Sequence, residues 1–243
     1  REYSIEYHCR TVDGSLTIWS SSITTRFCPF LKAWNVPALW APVGSWVDTP
    51  AGQKVNFGGL MTPRDRFATW QIMQEVSRSS LVEVGAHTWA SHYGLPANPQ
   101  GSLEPAIANR FYDRKSGRYE TDQQFTQRIS EDVRKVTEKI SSVTGKAPRA
   151  WVWPYGEANG VTLAIAKKQG YQLAFTLADG LGDARNIDNI PRMLISGNPS
   201  LKAFASMVTQ AQEPEVVRVM HVDLDYLYDP DIAQQTRNID RLV

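Results

Sequence analysis

The sequence lacks an excess of charge of either sign. Its 26 Lys and Arg residues nearly balance 25 Asp and Glu residues, which gives a formal net charge of +1. Proteins that bind nucleic acid usually carry a basic patch or stripe, and no clustered basic run is present here. We therefore expect neither a nucleic acid nor an anionic membrane surface to be a partner.

Long apolar runs and cysteines are also scarce. No apolar run approaches the roughly 20 residues that a membrane-spanning helix needs. The chain begins at Arg1 without a Met or an apolar leader, so we expect either that a leader was removed or that the chain belongs to a longer protein. Cys9 and Cys28 are too few for a disulfide framework, and the sequence leaves open whether they pair.

From about residue 30, short apolar runs alternate with amphipathic segments. Apolar runs typical of buried strands occupy residues 36–43, 81–86, 150–153, 171–176 and 216–222. Helical spacing is found in residues 64–79, 121–145, 160–169 and 200–212. This alternation predicts an α/β fold with a mainly parallel sheet or barrel, in which functional residues follow the C-terminal ends of strands. The polar stretch 93–120 is predicted to be a loop insertion that borders a cleft.

Two of the four histidines lie five positions apart, directly after the predicted strand 81–86. His87 and His92 could converge on one ion, because neutral imidazole is a common ligand of zinc, nickel, cobalt and iron. The hydroxyls of Thr88 and Ser91 could brace this segment. Two interpretations stay open at this point, a metal site or two ordinary loop histidines.

A second segment with chemical potential follows the predicted strand 150–153. Pro154 and Gly156 favour a tight turn that can expose the backbone N–H of Tyr155 to a developing oxyanion. Trp153 could stack on a sugar, although such a segment can also be a purely structural turn. Near the C-terminus, alternating polar residues form either a second metal site or a solvated strand rim: His221, Asp223 and Asp225.

Five segments, taken together and in this order, resemble the NodB-homology polysaccharide deacetylases: residues 37–47, 67–70, 87–92, 153–156 and 220–226. Within that family the resemblance is closest to the enzymes that act on poly-β-1,6-N-acetylglucosamine. It covers about residues 29–243 and implies a distorted (β/α) barrel of mainly parallel strands. It also implies a degenerate or truncated N-terminal segment at 1–28, a deacetylase domain at 29–228, and the start of a linker or following domain at 229–243.

The resemblance implies roles for particular residues. A divalent metal ion (zinc, nickel, cobalt or iron) would be held by His87, His92 and Asp13. The Tyr155 backbone N–H would bind the oxyanion, and His8 would act as the general acid. The substrate-binding residues implied are Trp89, Trp153, Pro154 and Gly156.

The first motif departs from the family pattern, which has the form T/S-F-D-D-G. The similar string here is residues 11–14, in which Val12 stands where relatives have the catalytic base. Many relatives also have an Arg near the position of Val152. Two hypotheses follow, a working deacetylase and a catalytically impaired remnant that at most binds glycan through aromatic residues. An unrelated α/β hydrolase is disfavoured, because the sequence has no Gly-x-Ser-x-Gly motif.

The resemblance also implies the biological setting. The reaction would be hydrolysis of linear amide bonds in a β-1,6-linked N-acetylglucosamine polymer, which is exported to form biofilm. The location would be the periplasm or cell envelope, and a C-terminal domain resembling a glycoside hydrolase would follow this chain.

Overall fold

The computed structural model describes residues 3–8, 31–33, 35, 37–57, 59–178, 182–195, 200, 202–203, 206 and 216–223. The strands, in chain order, are β1 (Tyr3–His8), β2 (Ala38–Trp40), β3 (Lys54–Phe57), β4 (Leu60–Pro63), β5 (Val82–Val84), β6 (Gly94–Pro96), β7 (Leu103–Pro105), β8 (Tyr112–Asp113), β9 (Arg118–Tyr119), β10 (Ala150–Val152), β11 (Leu173–Thr176), β12 (Gly182–Asp183), β13 (Ile190–Ile195) and β14 (Val216–Asp223). The helices are α1 (Gly44–Asp48), α2 (Trp70–Val76), α3 (Asp122–Thr144) and α4 (Gly160–Lys168). Within these residues, no helix is both long enough and apolar enough to span a bilayer.

The main sheet has eight strands and runs in the order β10-β11-β13-β14-β1-β2-β5. These neighbours all pair in parallel, and the short strand β12 pairs antiparallel with β14. The predicted α/β class and mainly parallel sheet are confirmed. Beyond β5, Ala86 forms a parallel bridge with Trp151, so this residue connects the β5 segment to β10. Two hydrogen bonds hold the bridge, Ala86 N to Ala150 O at 2.9 Å and Val152 N to Ala86 O at 2.8 Å.

The predicted helix 121–145 matches α3. A reciprocal capping box between Thr121 and Gln124 starts the helix, and Gly145 ends it in the left-handed conformation with φ 73°. Its apolar face is buried against the sheet beside Trp151 and Trp153, and includes Phe125, Ile129, Val133, Val136 and Ile140. Each such side chain contributes about 1.5–3 kcal/mol through burial, so this face anchors the helix firmly to the sheet.

The predicted insertion 93–120 is more ordered than a polar loop. It contains two hairpins, β6 with β7 and β8 with β9, and the buried residues 106–108 between them. Side chains from other segments satisfy the carbonyls of this stretch: Thr162 donates to Ile107 O, Asn159 donates to Ala108 O, and Arg128 of α3 bonds to both ends of the stretch. Its guanidinium donates to the carbonyls of Ala106 at 2.8 Å and Asn109 at 3.0 Å, and it pairs with the Glu120 carboxylate.

Other predicted elements are shorter or lie elsewhere. In place of one helix at 64–79, a 3₁₀ turn at Arg64–Arg66 precedes α2, because the Thr69 side chain caps the new helix by accepting from Ile72 N. Strand β2 is shorter than predicted and is flanked by Pro37 and Pro42, which lack the N–H that a ladder needs. Most of the predicted helix 200–212 lies outside the described residues.

Candidate active site

Two segments with predicted chemistry meet at the C-terminal edge of the parallel sheet. His87 follows β5, and the 3₁₀ turn Pro154–Gly156 follows β10. The Ala86 bridge makes these two strand ends neighbours. The His87 Nδ1 lies 2.8 Å from the Val152 carbonyl oxygen. A carbonyl can only accept, so Nδ1 carries a proton. In the neutral ring Nε2 then keeps the lone pair, which is the tautomer that a metal ligand needs.

His92 lies against His87, with their ring centroids 4.9 Å apart. On its other sides it contacts the rings of Tyr155, at 4.4 Å between centroids, and Trp46, at 4.9 Å. Burial lowers the pKa of His92 to about 4, and burial also raises the pKa of Tyr155. At neutral pH the site therefore presents a neutral His92 imidazole and a protonated Tyr155 phenol.

The two imidazoles fit two ligand positions of a divalent transition metal, because their rings lie against each other and burial keeps the His92 ring neutral. Within the described part of the chain, no group of three or more His, Cys, Asp and Glu residues is placed to hold a metal ion. The predicted third ligand, Asp13, lies outside the described residues. So does Asp225, and of His221 and Asp223 the structure describes only the backbone of β14.

The turn after β10 has an unusual backbone. Tyr155 has φ 57° and Gly156 has φ 75°, so two consecutive residues are left-handed. The hydrogen bonds that hold the turn are donated by Gly156 N to Trp153 O at 3.0 Å and by Glu157 N to Pro154 O at 3.3 Å, not by Tyr155 N. The Tyr155 side chain is 48% exposed beside His92, so this residue borders the site with both its ring and its backbone.

The structure separates the remaining predicted residues into different environments. Trp153 is 0% exposed and packs edge-to-face on Trp151, so its ring offers no face to a sugar, and the predicted stacking role is not supported. Pro154 is buried in the turn. Trp89 is half-buried between Gly44 and the Lys135 ammonium, which lies 4.4 Å from its ring centroid. His8 is the last residue of β1, and its side chain lies outside the description.

Trp46 is a residue of the site that sequence reasoning missed. It lies on α1, and its ring contacts Phe57 and Phe67 as well as His92. Arg64 holds the C-terminal end of this helix, because its buried guanidinium donates to the carbonyls of Val47 at 2.6 Å and Thr49 at 2.8 Å. The sequence offered no signal for this arrangement, since these contacts join residues from separate short elements.

A cavity of about 710 Å³ lies elsewhere, at the end of the sheet where the parallel strands begin. Its lining includes the first residues of four parallel strands, Ala38, Val82, Ala150 and Leu173. Catalytic residues of parallel α/β folds gather at the C-terminal ends of strands, so this cavity is not the candidate site.

Acidification should destabilise the metal-free chain through His92. The unfolded chain binds a proton at this residue below about pH 6.5, whereas the folded chain does so only below about pH 4. The unfolded state therefore binds more protons between these values, and the free energy of unfolding should fall by about 1–3 kcal/mol as pH falls through this window. Urea unfolding at pH 7 and pH 4.5 measures this, with His92→Gln as the control. An equally steep pH dependence in that variant would contradict the assignment.

Comparison with known proteins identifies the family. The sequence profile of the polysaccharide deacetylases matches residues 11–174. The chain belongs to the polysaccharide deacetylase family. It is 50% identical over 222 residues to the poly-beta-1,6-N-acetyl-D-glucosamine N-deacetylase of Escherichia coli K12, an alignment that covers 91% of this chain and 33% of that relative. The resemblance inferred from the motifs is thus confirmed, and the chain spans about a third of the length of this relative.

Solved structures support the same family assignment. A de-N-acetylase from Aggregatibacter actinomycetemcomitans is similar with TM-score 0.69 and 32% identity, over 83% of this chain and 72% of that chain. The BpsB deacetylase domain from Bordetella bronchiseptica is similar with TM-score 0.67 and 29% identity, over 90% of this chain and 71% of that chain. The deacetylase fold of these proteins agrees with the α/β fold described above.

Proposed function

We propose that this chain performs metal-dependent removal of N-acetyl groups from a β-1,6-linked N-acetylglucosamine polymer. The observation that carries the proposal is the pair of imidazoles, His87 and His92, that lie against each other beside the Tyr155 turn. The substrate is suggested by the name of the Escherichia coli relative at 50% identity. Zinc, nickel, cobalt and iron all suit imidazole ligands, so each is a candidate metal.

The residues of the site would divide the chemistry among them. A divalent ion bound there would polarise the acetyl carbonyl and lower the pKa of a bound water. His87 and His92 would hold that ion, with Asp13 as the proposed third ligand. The Tyr155 N–H would donate to the oxyanion that forms when water attacks the carbonyl. One such donor lowers the activation barrier of acyl-transfer reactions by about 3–4 kcal/mol.

His8 is the proposed general acid that protonates the leaving amine. The topology supports this choice, because β1 pairs in parallel with β2, and β2 pairs in parallel with β5. The C-terminal end of β1 therefore lies at the same end of the sheet as the segment that carries His87.

We also infer that the sheet closes into the distorted barrel of this family. The bridge between Ala86 and Trp151 would join its two outer strands, β5 and β10.

Acetate release tests the proposal. The chain, stripped with a chelator, would be incubated with a β-1,6-linked N-acetylglucosamine oligosaccharide and each of the four metals in turn. We expect release that depends on added metal and is absent with a β-1,4-linked oligosaccharide of the same length. Because Val12 stands where relatives have their base, we expect turnover to be about 10²- to 10⁴-fold slower than in relatives that keep the base.

Two results would remove the proposal. Release that is unchanged by the chelator would exclude the metal mechanism. No release with any of the four metals, together with retained binding of the oligosaccharide, would leave only the glycan-binding remnant. The envelope location and the following domain stay predictions that this experiment does not address.

A further inference from the structure

The segment between the two histidines is folded around one buried carboxylate, that of Asp132 on α3. Its Oδ1 accepts from the Thr88 hydroxyl at 2.5 Å and from the Trp89 N–H at 2.8 Å. Its Oδ2 accepts from the Ala90 N–H and from the Ser91 hydroxyl, both at 2.8 Å. Every residue between His87 and His92 therefore donates to this one side chain.

The arrangement fixes the loop from outside itself. Asp132 belongs to a helix of 23 residues whose apolar face is anchored in the core, so the carboxylate is a rigid point. Backbone N–H groups that converge on an anion hold a loop in one conformation. A further bond from Ser91 N to Thr88 Oγ1 at 3.0 Å ties the two hydroxyl residues together. The positions of His87 and His92 thus depend on a contact with α3.

We infer that Asp132 is a positioning residue that holds His87 and His92 in the arrangement needed to bind one metal ion. The inference rests on the proposed function, since it assigns Asp132 a part in forming that metal site. A carboxylate is costly to bury, and here it is 8% exposed. Four donors from a single loop compensate that cost. The buried charge is therefore stabilised only when the loop adopts this conformation.

The Asp132→Asn variant of the 243-residue chain tests the inference. Its zinc affinity would be measured by competition with a chromogenic chelator and compared with that of the wild type. Each carboxylate oxygen accepts one backbone N–H, so either orientation of the asparagine amide sets its NH₂ against the N–H of Trp89 or Ala90. Hydroxyls can rotate to adapt, but these backbone donors cannot. We expect zinc affinity to fall about 10- to 100-fold, as for other residues that orient metal ligands.

Thr137→Val is the matched control. Thr137 lies on the same helix with the same 8% exposure, and it shares a buried hydrogen bond of 2.8 Å with the Tyr171 hydroxyl. Its replacement removes a buried polar contact without touching the histidine loop, so zinc affinity should stay unchanged. Ser91→Ala, which removes one of the four donors, should weaken zinc binding only a few-fold and serves if the Asp132 variant does not fold.

Zinc affinity alone decides the inference. Wild-type affinity in Asp132→Asn, or in Ser91→Ala if only that variant folds, would overturn it. An equal loss of affinity in Thr137→Val would also overturn it, because the effect would then reflect general destabilisation. Failure of the proposed function is a different result, namely a wild-type chain that binds zinc and releases no acetate.

Discussion

Replacing His87 with asparagine should abolish metal binding while the chain remains folded. Removal of one of two facing imidazoles leaves a single histidine of the pair, which cannot retain a divalent ion through dialysis. In the proposed mechanism the ion supplies several kcal/mol of transition-state stabilisation, so its loss should lower acetate release on the order of 10³-fold or more. Elemental analysis of dialysed protein and the acetate assay measure the two effects.

The choice of asparagine separates ligation from folding. The asparagine amide can still donate a hydrogen bond to the Val152 carbonyl, as Nδ1 of His87 does now, but it has no nitrogen lone pair to offer a metal. His87→Ala removes both functions and should also lower the free energy of unfolding by about 1–3 kcal/mol, because the buried carbonyl loses its donor. If the asparagine variant kept the wild-type metal stoichiometry, His87 could not be a ligand.

The elements that could be predicted are those with a repeated local pattern. The apolar spacing of α3 and its terminal Gly145 define a helix without knowledge of anything else in the chain. Catalytic residues of parallel sheets follow the C-terminal ends of strands. This rule was enough to predict that His87 and the Tyr155 turn lie at the same end of the sheet. Both depend on neighbours in sequence or on a general property of parallel sheets.

Long-range contacts could not be predicted in this way. Asp132 lies 41 to 44 residues from the loop groups it binds, and its position beside the apolar stripe of α3 was the only local hint of burial. Trp46 reaches His92 from a different part of the chain for the same reason. Trp153 is a different case. It shares a strand face with Trp151, and alternation alone could have indicated that both face the helices.

Replacing Gly156 with alanine should disrupt the turn that presents the Tyr155 N–H. A Cβ built at Gly156 lies 2.6 Å from the backbone nitrogen of Leu177, and the residue has φ +75°, which disfavours alanine. The turn must therefore shift. Displacing the proposed oxyanion donor, the Tyr155 N–H, should lower the rate about 10²- to 10³-fold. We expect kcat for acetate release to fall by that factor, while zinc affinity stays near wild type because the histidines and the contacts of their loop with Asp132 are unchanged.

Gly145→Ala provides the control that isolates the cause. Gly145 has nearly the same left-handed backbone, φ +73°, but a Cβ there meets nothing within 4 Å, and it lies at the far end of α3. Both variants carry the cost of a left-handed alanine, about 1 kcal/mol, whereas only Gly156→Ala adds the overlap with Leu177. A loss of kcat in both variants would point to general destabilisation. A loss confined to Gly156→Ala, with KM little changed, would assign the effect to the donor, since a contact made only in the transition state alters kcat rather than KM.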